Sequence, residues 1–115
     1  MRLLVHIATG PENPTRVALG LLVARTALAA GHEVDVFVAG DGVDVVRDET
    51  RNALTGIGTG SAAEHWRALA EGGARVYASG QSSKARGIAP TDGVELAPPD
   101  KLVELIAAAD MVVSY

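Results

Sequence analysis

The chain has 115 residues, 10 basic and 14 acidic side chains, a net charge of −4 and no cysteine, so one domain around one core is expected over residues 1–115. Mild acidity and 3% aromatics supply neither the basic stripe nor the stacking platform of a nucleic-acid binder, and the lack of thiols excludes disulfides, thiolate zinc sites, a cysteine nucleophile and a persulfide. No apolar run approaches the ~18 residues of a membrane span, and the apolar start Met1–Ile7 is too short for a signal peptide, so a cytoplasmic protein without membrane contact is expected.

Leu3–Ala8 and Val34–Ala39 are short runs rich in β-branched residues, the composition of strands covered on both faces of a parallel sheet. Between them the sequence predicts a helix. Asn13 suits its N-cap, Pro14 its first position and Gly31 its C′ position, while Val17, Leu21, Ala24 and Leu28 recur at helical spacing. Strand, helix and strand in so short a span make a βαβ unit.

The pattern then repeats more loosely. Gly56–Gly60 reads as a flexible loop, and Ser61–Glu71 as a helix capped by Ser61 with Glu64 three residues on and closed by Gly72-Gly73. Ala74–Ala78 is a third strand, Gly80–Pro90 a long connection with room for a helical turn, and Val94–Leu96 a short fourth strand. Pro99–Ala109 is a helix with Leu102, Leu105, Ile106 and Ala109 on one face, and Met111–Ser114 is a fifth strand. A three-layer α/β/α sandwich of flavodoxin-like appearance, with a five-stranded, mostly parallel sheet, accounts for all of it. Val43, Val45 and Val46 belong to none of these elements, which makes them the expected contact with another subunit.

In an open parallel sheet ligands bind beyond the carboxyl ends of the strands. The loops there bring Thr9, Asn13, Asp41, Ser79, Gln81 and Arg86 toward one crevice. Arg86 suits a bidentate grip on a carboxylate, phosphate or sulfur oxyanion, and the N–H groups opening the first helix favour the same ligand. Asp41 opposes it, either pairing with Arg86 or orienting a donor on the ligand. Glu12 likewise puts a negative charge in the first loop, which lacks the lysine and glycines of a P-loop.

Gly58-Thr59-Gly60-Ser61-Ala62-Ala63 matches a dinucleotide fingerprint only loosely, because no good strand precedes it. His6, His32 and His65 have no i, i+4 partner, so no metal ligand set is expected, and no cofactor is called for. His6 is expected to hydrogen-bond within the sheet or at an interface and His32 to be solvated. Ser79 follows a strand as a nucleophile elbow does, but the Gly-x-Ser-x-Gly pattern is absent and all three histidines precede it.

The order of these features resembles the DsrE/DsrF-like family, which includes the sulfur-relay DsrEFH and TusBCD proteins. Thr9-Gly10-Pro11, Ala30-Gly31-His32-Glu33-Val34, Val36-Phe37-Val38 before Asp41-Gly42-Val43, Gly73-Ala74-Arg75-Val76-Tyr77, Arg86-Gly87-Ile88 and Ala109-Asp110-Met111-Val112-Val113 carry the resemblance over the whole chain. It implies the same sandwich and assembly as homotrimers or homohexamers, or with sibling DsrE-like subunits. It also implies that Ser79 occupies the position of the cysteine that carries sulfur as a persulfide. A serine hydroxyl forms no persulfide, so the expectation is a non-catalytic oligomeric binding or accessory protein. The alternative is an enzyme acting on a small anionic substrate at the Ser79–Arg86 crevice.

Overall fold

The computed structural model describes residues 1–115. In chain order the elements are β1 (Arg2–Ile7), α1 (Pro14–Ala29), β2 (Glu33–Val38), a 3-10 segment (Gly40–Val46), α2 (Asp48–Ala53), β3 (Thr55–Gly56), β4 (Gly60–Ser61), α3 (Ala62–Glu71), β5 (Arg75–Ser79), α4 (Gly80–Ala85), β6 (Val94–Ala97), α5 (Pro99–Ala108) and β7 (Met111–Ser114). Five strands form one sheet in the order β6-β5-β2-β1-β7, and every pairing in it is parallel.

Alternation along the strands sorts the side chains into two unequal layers. Leu3, Val5, Ile7, Val34, Val36, Val38, Val76 and Ala78 join the larger core, with Val17, Leu21 and Ala24 of α1 and Leu69 of α3. The opposite face carries a smaller cluster of Leu4, Phe37, Tyr77 and Ala97 beneath Leu105 of α5. α5 links the two edge strands and touches β1 and β6 on the way, so one ten-residue helix covers what several elements cover opposite.

The first helix begins as its sequence predicts. Asn13 caps it by accepting the Arg16 N–H, Pro14 opens it, and Gly31 follows its end with a φ of 90°. Ser61 caps α3 through the Glu64 N–H, as predicted.

Two expectations are corrected. Gly56–Gly60, read as a flexible loop, is the tip of a small hairpin: β3 and β4 pair antiparallel at its ends, and it is tied to α1 by the Ile57 N–H donating to Thr15 Oγ1 and by Thr59 Oγ1 donating to the Thr15 carbonyl. That tip explains the glycines of the loose dinucleotide match. Val43, Val45 and Val46 are not a subunit contact either. They are 0%, 0% and 4% exposed within the single chain, because the 3-10 segment folds over β2 and β5 and packs on α2 and α4.

Candidate functional site

The loops after β1 and β2 come together at the carboxyl edge through backbone contacts that only glycine permits. A Cβ on Gly10 would stand 2.1 Å from the Asp41 carbonyl oxygen, and one on Gly42 would stand 2.3 Å from that of Ile7. Asp41 is thereby held at the foot of the first loop. From the other side Arg86 reaches it, with Nη2 donating to Asp41 Oδ1 at 2.8 Å. The Gly40 N–H donates to Ser82 Oγ at 3.0 Å and fixes α4 against the same loop.

Asp41, Ser79 and Arg86 therefore share one corner at the ends of β2 and β5. The Asp41–Arg86 pair lies at the surface, with side chains 60% and 32% exposed. Of the two alternatives for Asp41, the chain adopts pairing. Arg86 also donates from Nη1 to the Ser82 carbonyl at 3.3 Å, while its Nε makes no hydrogen bond within the chain. Arg47 adds a cation beside it, donating to the Arg86 carbonyl at 2.7 Å.

Ser79 has a structural occupation that its strand-end position did not disclose. Its Oγ accepts the Ser82 N–H at 3.2 Å and caps α4. No histidine hydrogen-bonds to it: Nε2 of His65 meets the Thr59 carbonyl, Nδ1 of His32 meets the Met1 amine, and Nδ1 of His6 lies near Ser114 Oγ. A serine hydroxyl without a base is a poor nucleophile near neutral pH.

The remaining residues stand apart. Asn13 is exposed, with its side-chain oxygen spent on the α1 cap, Thr9 is half-buried, and Gln81 is exposed on α4; neither Thr9 nor Gln81 makes a side-chain hydrogen bond within the chain. The first loop holds an anion of its own, because the Glu12 carboxylate accepts the Gly10 N–H at 2.6 and 3.2 Å. Strand order reverses between β1 and β7, which puts the switch point, the usual ligand crevice of such sheets, two strands from Ser79. His6 stands there half-buried, its Nδ1 3.5 Å from Ser114 Oγ, and loss of water pushes its pKa below the ordinary histidine value. The sequence placed it within the sheet but gave no means of pairing it with a strand over a hundred residues away.

The whole of residues 1–115 matches the DsrE/DsrF-like family. The chain belongs to that family. It is 35% identical to the uncharacterised protein MK0008 of Methanopyrus kandleri over 119 aligned positions, covering 96% of this chain and 91% of that one. The fold is also similar to that of the ychN protein from E. coli, with a TM-score of 0.81, 21% identity and full coverage of both chains. BT1422, a conserved protein of unknown function from Bacteroides thetaiotaomicron, superposes with a TM-score of 0.74 at 14% identity, over 99% of this chain and 94% of its own. This family member has no cysteine anywhere. No group of three or more histidine and acidic residues is placed to hold a metal ion, and no helix is long and apolar enough to cross a membrane.

Proposed function

We propose that this DsrE/DsrF-like chain is a non-catalytic, oligomeric binding or accessory protein, cytoplasmic and linked to sulfur metabolism, that acts by docking rather than by turnover. What supports the reading is Ser79, taken here as the residue at the family's sulfur-carrying position: it offers a hydroxyl in place of a thiol, and that hydroxyl is committed to the α4 cap. Persulfide chemistry needs a thiolate, so sulfur is carried by a partner. The partner is a second copy, in a homotrimer or homohexamer, or a sibling DsrE-like subunit. Met1, Val103, Ile106, Met111 and Val112 support an assembly, because each is a large apolar side chain left 38% to 63% exposed. The Arg86 corner fits a small anion or an acidic side chain of that partner.

Incubation with a persulfide donor tests the reading. The wild-type protein is expected to gain no sulfane sulfur by intact mass, whereas Ser79→Cys gains one sulfur atom, since a thiol at a helix N-terminus ionises readily. Labelling of the wild type would overturn the non-catalytic assignment. An inert Ser79→Cys thiol would remove Ser79 from the sulfur position.

A further inference from the structure

Asp35, on the middle strand of β1-β2-β5, is the chain's one carboxylate with no exposed surface. Replacing a buried ion pair with apolar groups is often neutral or stabilising, so stability alone does not explain a carboxylate here. Its Oδ2 accepts from Arg2 Nε at 3.0 Å and its Oδ1 from Arg75 Nε at 2.6 Å. Each arginine thus meets Asp35 through Nε alone and not through the two-pronged grip that binds a carboxylate most strongly. None of their Nη nitrogens makes a hydrogen bond within the chain. Glu33 Oε2 stands 4.0 Å from Arg75 Nη2, too far to accept. The two arginine side chains remain 32% and 47% exposed and share one buried anion.

Arg75 also borders an open cavity of about 550 Å³ along β5 and β6, which Tyr77, Gly93, Val94 and Glu95 line as well. No residue of α5 lines it. Tyr77 there is 8% exposed, its ring stacked on Phe37 at 6.4 Å between centroids and overlaid by the Lys101 ammonium at 5.5 Å. One pre-set guanidinium, an aromatic and an exposed carboxylate around one open volume, with Arg2 held on the other oxygen of Asp35 outside that lining, are the makings of a small-molecule site.

We propose that Arg2 and Arg75, positioned by Asp35, receive the oxyanion end of a small organic anion whose body lies in the cavity beside Tyr77, where Glu95 accepts from a donor on that body. This site is at the opposite edge of the sheet from the Asp41–Arg86 corner and does not depend on that corner. Arginine Nε–Hε resonances of the full chain, titrated with inorganic phosphate, acetate and benzoate, test it. Arg2 and Arg75 are expected to shift together and to saturate below about 10 mM, with benzoate several-fold tighter than acetate and with Gly93 and Glu95 amides following. Arg75→Gln should weaken all three ligands at least tenfold, and Arg67→Gln, on the exposed side of α3, should not. Asp35→Asn should uncouple the two arginine responses; if that variant fails to fold, Arg75→Gln decides. Shifts that never saturate, that sodium chloride reproduces, or that appear at Arg86 alone would overturn the site. Equal affinity for acetate and benzoate would overturn the cavity's part in it.

Discussion

Arg86 was legible as a residue type but not as a geometry. The sequence offered a guanidinium at a strand end; the fold adds Asp41 at 2.8 Å and leaves the pair largely in water. Exposed pairs contribute about 0–1 kcal/mol, so Arg86→Ala should lower the urea-derived stability by no more than that. Binding of an anion or acidic partner at the corner should weaken by about 1.5–3 kcal/mol, the range for a hydrogen bond to a charged group. Isothermal titration beside denaturation separates the two, and a stability loss without a binding loss would make the pair purely structural. His6 carries a pH dependence of definite sign. Burial holds its folded pKa below the unfolded value near 6.5, so the unfolded chain binds more protons between the two values. Stability therefore rises with pH through that window and is lost on acidification below about 6.5. Urea midpoints measured at about pH 7.5 and about pH 5.5 should fall less for His6→Gln than for the wild type.

Elements built on strong local signals could be read directly. α1 carries a side-chain cap, a proline start, an apolar stripe and a positive-φ glycine end in one continuous stretch. Asn13→Ala should cost about 1 kcal/mol and Asn13→Gly a few tenths, read as shifts in the urea midpoint. The elements that escaped reading are short and held by distant partners. α4 is six residues long and owes its start to Ser79, a residue whose strand-end position suggested a crevice. Val43, Val45 and Val46 show neither a strand nor an α-helix period, so their apolar character pointed outward to a partner. A 3-10 segment turns them inward, onto a core built from residues far along the chain. Asp35 escaped for the same reason: a charge inside an apolar strand becomes intelligible only when Arg2 and Arg75 are known to flank it.

Across the whole molecule the sheet's parallel character was legible from its doubly covered strands, whereas its order was not. No local feature of Met111–Ser114 names β1 as its neighbour. The two faces also differ in cover: one carries α1 and α3, while the other has α5 alone, whose Val103 and Ile106 are 63% and 46% exposed. In the proposed oligomer these side chains belong to a subunit contact, in place of the valines of the 3-10 segment. Light scattering at micromolar concentration should give a multiple of 11.8 kDa, and Val103→Asp with Ile106→Asp should shift the mass toward one chain. A wild-type monomer would end the oligomeric reading.

The pairing of β1 with β7 also sets a clock. Arg2 and Asp110, joined by a backbone N–H to carboxylate bond, are 108 residues apart in the chain, and no strand of the main sheet is closed by a tight hairpin. Loop-closure entropy must be met before such contacts return any energy, which makes long-range parallel pairing slow to form. β1 waits for every element up to β7 before its second edge is filled. Until then that edge is an open template for any other extended segment, so the interval between synthesis of β1 and arrival of β7 is when this protein is most exposed to misassembly.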